Sequence, residues 1–158
     1  MLHSATATPR DPRLDAAMPH LGETGIAYAV YGTLRPLMGN DHVWEGRAEA
    51  GALTRLHGLA MYDQGYFPFA VDAAPDSSIV VQILKPHAAT AAALQRDLDR
   101  LEGVARPGRS GGLYERRAVR YFDQEEQSLR WAWVYLCTNP SRVQGLPLVA
   151  SGDWCARG

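Results

Sequence analysis

Two stretches of this sequence carry residue types that could do chemistry: the carboxylate Glu102, and the glycine-interrupted run Tyr31-Gly32-Thr33-Leu34-Arg35-Pro36. Glu102 ends a segment rich in helix formers that begins at Thr90. Within it Ala91, Leu94, Leu98 and Leu101 make one apolar stripe at steps of three and four. At about 100° per residue, Glu102 falls about 40° from Leu98 and about 80° from Leu94, on the border of that stripe. Arg96 and Arg100 occupy the opposite, solvated face. Gly103 is placed to close the helix in a left-handed cap, so Glu102 belongs to the last turn. There the negative end of the helix dipole disfavours an anion by about 0.3–1 kcal/mol, and partial burial acts in the same direction. Both raise the carboxyl pKa toward neutrality, as a group that takes up and returns a proton requires. The competing reading is a glutamate hydrogen-bonded to its own loop.

The second stretch follows the alternating run Ile26-Ala27-Tyr28-Ala29-Val30-Tyr31, which reads as a strand. Ile26, Tyr28 and Val30 share one face and Ala27, Ala29 and Tyr31 the other. Gly32 interrupts regular pairing, as a residue without Cβ does where backbone must approach something closely. The chain then opens its N–H groups into a loop, which can hold an anionic or carbonyl group without a charged side chain. Taken alone, the stretch fits an ordinary strand-to-loop turn as well as a ligand loop.

The remaining elements must position these two. Residues 1–24, with Pro9, Pro12 and Pro19 and no sustained period, read as a flexible tail ahead of a single domain over 25–158. Residues 47–63 fit two strands or one long bent strand, interrupted at Gly51 and Gly58. Gly65 to Val71 is aromatic-rich and broken by Pro68; it fits a pocket wall or an edge strand. Ile79 to Leu84 is a β-branched run expected inside a sheet. Leu113–Phe122 and Leu129–Cys137 flank the polar turn Asp123-Gln124-Glu125-Glu126 and predict an antiparallel hairpin. His42 reads as a surface or loop-ordering histidine, since no cysteine or second histidine is near it in sequence. Arg106 and Arg109 fit either a solvated loop or contact with an acidic group on a ligand. Trp44 and Trp154 fit a dimer face or packing within their own domain.

Composition narrows the partners. Sixteen Lys and Arg against 17 Asp and Glu give a net charge of −1, without the footprint of a nucleic-acid or anionic-membrane binder. Cys137 and Cys155 lack metal-ligand spacing and read as free thiols of a reducing compartment. No apolar run approaches the ~20 residues that span a bilayer, and the first residues lack the apolar core of a signal peptide. The charge balance points to a small neutral or zwitterionic ligand or to a protein partner, and a cytoplasmic, soluble protein is the expectation.

Four motifs then combine in order: Tyr31-Gly32-Thr33-Leu34-Arg35, Leu98-Asp99-Arg100-Leu101-Glu102-Gly103-Val104, Leu113-Tyr114-Glu115-Arg116, and Ser151-Gly152-Asp153-Trp154. Over residues 26–154 the chain resembles the γ-glutamylcyclotransferase-like superfamily, in its AIG2-like branch. The resemblance implies an α+β fold, a small mixed β-barrel with flanking helices and a cavity at one end. It implies that the backbone of Tyr31, Gly32, Thr33 and Leu34 holds a γ-glutamyl moiety, that Glu102 is the acid/base, and that Tyr114, with Tyr135, lines the cavity. The implied reaction releases 5-oxoproline and an amine from a γ-glutamyl amine or γ-glutamyl amino acid. No cofactor and no metal are implied, and the protein is expected as a monomer or homodimer. A binder that keeps the cavity without catalysis is the alternative, because folds host many functions.

Overall fold

The computed structural model describes residues 17–104 and 112–157. Seven strands, β1 (Ala27–Val30), β2 (Ala48–His57), β3 (Leu59–Asp63), β4 (Pro68–Asp72), β5 (Ser78–Pro86), β6 (Tyr114–Asp123) and β7 (Ser128–Cys137), accompany one α-helix, α1 (Ala91–Leu101). Pairing gives a five-stranded sheet in the order β2-β5-β1-β7-β6 and a two-stranded sheet of β3 and β4. β1 runs parallel to β7, with Tyr28 opposite Trp133, and antiparallel to β5. The class is α+β as expected, with two differences. Strand pairing among the described residues does not close into a ring, and the flanking elements are one α-helix with short 3-10 turns.

Alternation along β1 places it between two cores. Tyr28 and Val30 face the side covered by α1, packed with Leu94, Leu98, Trp133 and Tyr135. Ala29 and Tyr31 face the other side, with Val81, Val134 and Trp154. The expected hairpin of β6 and β7 pairs without a break from Tyr114↔Cys137 to Asp123↔Ser128. Residues 47–63 form two strands, and the first is irregular between Ala50 and Leu53, on either side of Gly51. β5 lies inside the sheet, flanked by β2 and β1.

The segment after β7 joins the two sheets. Leu148 bridges Tyr62 beside β3, and the Val149 amide donates to the Met61 carbonyl at 2.9 Å. A few residues on, the Val80 amide of β5 donates to the Gly152 carbonyl at 2.7 Å. At the other end of the described chain, Arg116 Nη2 donates to the Leu21 carbonyl and Gln95 Nε2 to the Glu23 carbonyl, laying residues near Leu21 against β6 and α1. Both tryptophans open to a dimer reading are packed in the fold, Trp44 and Trp154 being buried. Cys137 and Cys155 are free thiols. No described helix is long and apolar enough to cross a membrane.

Candidate active site

The end of α1 is built as the sequence predicts. Gly103 takes a left-handed φ of 67°. Its amide donates to the Arg100 carbonyl at 3.2 Å, and the Val104 amide reaches back to the Asp99 carbonyl at 2.9 Å. This paired arrangement satisfies the last carbonyls of the helix and turns the chain away. Glu102 is thereby held at the helix terminus, at the rim of a cavity of about 300 Å³. The residue is only partly buried, yet its carboxyl is largely surrounded by protein. That burial pushes its pKa up from 4.5 to about 7.

Across the cavity stands the loop after β1. Sheet pairing of β1 with β5 stops at Val30↔Gln82. Among the described residues, no hydrogen bond is recorded from the amides of Gly32, Thr33 or Leu34. The loop is nonetheless fixed on several sides. Asn40 clamps Thr33, its amide donating to the Thr33 carbonyl at 2.9 Å and its Nδ2 to Thr33 Oγ1 at 2.8 Å. The indole of Trp44 donates to the Leu34 carbonyl at 2.7 Å. Arg35 Nη1 donates to Asp153 Oδ1 at 2.6 Å, tying the loop to the C-terminal motif. Donors held in this way meet a ligand without being ordered first, which is the condition for a preorganised site.

The Tyr31 side chain is buried, and its Oη donates to the Tyr135 carbonyl at 2.5 Å. Burial, then the neighbouring Tyr114 and Glu102, hold that phenol well above its ordinary pKa. Gly32 makes the close approach that its sequence setting suggests, and within the fold that approach is to Pro68. A Cβ there would lie 2.7 Å from the Pro68 ring, so what approaches closely is the start of β4. Tyr114 is anchored to the same residue, its Oη donating to the Pro68 carbonyl at 2.8 Å, and its ring packs 5.5 Å from that of Phe69. Burial and then Glu102 raise its pKa as well. Tyr135 stacks on Tyr28 with ring centroids 6.5 Å apart and donates its Oη to Asp99 Oδ1 at 2.8 Å.

The structure therefore gathers every residue selected from sequence: Tyr31, Gly32, Thr33, Leu34, Glu102, Tyr114 and Tyr135 all border one cavity. It adds Asn40, Phe67 and Pro68. Pro68 and its aromatic neighbours were legible as a pocket wall, whereas nothing in the local pattern distinguished Asn40. Leu101 lines the cavity while 42% exposed and is not covered by the core as its stripe position suggested. His42 stays outside it, with Nδ1 3.2 Å from the Gly39 carbonyl. Arg106 and Arg109 lie outside the described residues. Among the described residues no three His, Cys, Asp or Glu side chains converge as a metal site.

The loop after β1 and the Glu102 carboxyl thus border one cavity. Comparison with known proteins shows the family and the fold. Among solved structures the chain is similar to protein ytfP of Escherichia coli, with 28% identity over 84% of this chain and 98% of that one, at a TM-score of 0.57. An uncharacterized protein of Pyrococcus horikoshii shares 20% identity over 82% of this chain and 89% of its own, at a TM-score of 0.59. A structure titled gamma-glutamyl cyclotransferase shares 16% identity over 80% and 70% of the two chains, at a TM-score of 0.52. The last two likenesses bear on the fold alone. No curated protein matches the chain. The model of the family described as gamma-glutamyl cyclotransferase, AIG2-like, matches residues 28–156. That match spans well over half of the chain, which belongs to the AIG2-like gamma-glutamyl cyclotransferase family.

Proposed function

We propose that this chain is a cyclotransferase that converts a γ-glutamyl amine or γ-glutamyl amino acid into 5-oxoproline and a free amine, with Glu102 as general acid/base. One observation carries the reading: a carboxyl whose pKa is pushed to about 7 borders the same cavity as the amides of Gly32, Thr33 and Leu34. In this mechanism the loop amides hold the γ-glutamyl group folded, with its α-nitrogen against its own γ-carbonyl carbon, so that positioning supplies much of the rate. The Glu102 carboxylate accepts a proton from the substrate α-ammonium. The freed nitrogen attacks the γ-carbonyl carbon, forming the ring C–N bond, and the C–N bond to the departing amine breaks. Two protons pass from the α-nitrogen to the departing nitrogen, and Glu102 carries them in turn, ending as the carboxylate it began as. No side-chain nucleophile takes part, because the substrate brings its own amine.

The test is incubation with a panel of γ-glutamyl amines, γ-glutamyl amino acids and glutathione, with 5-oxoproline followed by mass spectrometry. Product is expected from at least one member and not from its N-acetylated form, whose α-nitrogen cannot attack. Cleavage of the N-acetylated substrate would show hydrolysis by water in place of cyclisation. No product from any member would favour a binder that keeps the cavity.

A further inference from the structure

A second cavity, of about 310 Å³, opens at the other end of β1. β1 pairs in parallel with β7 through Ala27↔Ala132 and antiparallel with β5 through Tyr28↔Leu84. Lys85 and Pro86, just past Leu84, therefore meet Arg130 and Trp131, just before Ala132, around the start of β1. The loop of Gly32 to Leu34 follows the opposite end of the strand, and the described linings of the two cavities share no residue. A volume of this size is at the small end of the about 300–1,000 Å³ typical of small-molecule sites.

Ile26, Pro86 and Trp131 give the lining an apolar side, and Lys85, Arg130 and Glu126 give it charges of both signs. The two bases converge on Asp123, whose side chain is 4% exposed. Asp123 Oδ1 accepts the amides of Glu125 and Glu126 at 3.0 and 3.3 Å. Its Oδ2 accepts Lys85 Nζ at 2.9 Å but stands 3.6 Å from Arg130 Nε, beyond hydrogen-bond reach. Arg130 Nη2 pairs with Glu126, whereas Arg130 Nε is buried without a hydrogen-bond partner among the described residues. A buried guanidinium N–H in that state favours a further acceptor. Lys85 has three donors and is 37% exposed, so it can serve the same acceptor group.

We propose that this cavity is a second binding site, and that its ligand is a free α-amino acid with an apolar side chain. The carboxylate accepts from Arg130 Nε and Lys85 Nζ. Glu126 holds the ammonium, since a carboxylate has lone pairs beyond the one it gives Arg130. The ligand side chain buries its surface on Ile26, Pro86 and Trp131. Charge selects the zwitterion. Lys85 and Arg130 lie among Asp123, Glu125 and Glu126, so an anion lacking the ammonium adds to an excess of acid. An amine lacking the carboxylate leaves Arg130 Nε as it is. The site does not depend on the chemistry proposed for Glu102.

The test is an amide-shift titration of the full-length, ¹⁵N-labelled protein with L-phenylalanine. Phenethylamine, 3-phenylpropionate and glycine are the controls, lacking in turn the carboxylate, the ammonium and the side chain. Saturable shifts are expected at Ile26, Ala27, Lys85 and Trp131, with phenylalanine binding about 10-fold or more tighter than each control. Arg130→Lys keeps the charge and removes Nε, and should weaken phenylalanine binding by about 10-fold. Should that variant disturb the β6–β7 turn, the ligand series on the unaltered protein decides alone. The inference is overturned by the absence of saturable shifts, or by shifts confined to Gly32, Thr33, Leu34 and Glu102. Equal affinity for phenethylamine or 3-phenylpropionate would overturn it too, as would a folded Arg130→Lys variant that binds phenylalanine unchanged. Because the readout is binding at the far end of β1, each of these failures leaves the cyclotransferase reading standing.

Discussion

Arg35 and Asp153, 118 residues apart, meet in an ion pair with Nη1 2.6 Å from Oδ1. The guanidinium side chain is 9% exposed and the carboxylate 25%. Asp153 also accepts the Cys155 amide at 3.0 Å, so it caps the final 3-10 turn with the same oxygen that holds the loop. The last motif of the chain is thus the buttress of the first, and neither is interpretable from its own neighbours in sequence.

Removing the carboxylate should therefore reach the loop. Asp153→Ala leaves a nearly buried guanidinium without its partner, and the expected loss is about 3–5 kcal/mol, as for breaking a buried pair. Arg35→Met, which removes the charge and keeps an unbranched apolar stem, should cost less. Urea unfolding of the two variants gives the ranking; equal stabilities would mean that the pair is solvated and not structural. Both should raise KM for 5-oxoproline formation, since the amides of Gly32 to Leu34 lose a fixed support.

Glu102 gives a sign that can be checked in two ways. Its folded pKa of about 7 lies above its ordinary 4.5, so the native state binds this proton more tightly than the unfolded chain does. Stability from this group is fully present below about pH 4.5 and is lost as pH rises through about 7, amounting to about 1–3 kcal/mol by pH 8. Glu102→Gln removes that loss, and thermal unfolding at pH 8 should find the variant at least as stable as the parent. Its 5-oxoproline formation should fall by about 10²–10⁴-fold. In the parent, kcat/KM should rise with pH through about 7 as the carboxylate forms. A profile flat from pH 5 to 8, or an active Gln variant, would remove Glu102 from the proposed role.

Much of this was legible in sequence because it was periodic or locally capped. The stripe Ala91, Leu94 and Leu98 marks the buried face of α1, and Gly103 ends it in the left-handed turn that seats Glu102. Alternation identified both faces of β1 and the hairpin of β6 with β7. What stayed hidden is set by pairing across the chain. Asn40 reaches Thr33 only once the loop is closed, and Gly32 faces Pro68 through a packing that neither residue announces. The parallel pairing of β1 with β7, and the open strand order among the described residues, depend on contacts between distant segments that local patterns do not encode.

The Gly32 contact can be tested by relief. Gly32→Ala sets a methyl 2.7 Å from the ring carbons of Pro68, and the overpacking should cost about 1–3 kcal/mol in denaturant unfolding. Pro68→Ala removes those ring carbons while keeping the backbone carbonyl that accepts from Tyr114. The double variant should therefore be destabilised by clearly less than the sum of the single changes, a coupling expected only for groups in direct contact. Additive losses would show that the loop moves aside.

Asp99 ties the last turn of α1 to the sheet on which the cavity is built. Its carboxylate accepts Arg116 Nε at 2.9 Å, Arg116 Nη2 at 3.2 Å and the Tyr135 hydroxyl at 2.8 Å. Arg116 in turn lies over the Trp133 ring, 4.5 Å from its centroid. Asp99→Asn leaves an Arg116 side chain only 8% exposed without its anion, and should cost more than Tyr135→Phe, which removes one hydrogen bond worth about 1–2 kcal/mol. Both changes act on the helix turn that ends in Glu102. Hydrogen exchange at the Val104 amide, which donates to the Asp99 carbonyl, should accelerate in Asp99→Asn more than in Tyr135→Phe. The kcat for 5-oxoproline formation should fall in the same order, because the proton transfer proposed for Glu102 needs that turn held. Faster exchange with unchanged kcat would separate the stability of the turn from the placement of the carboxylate.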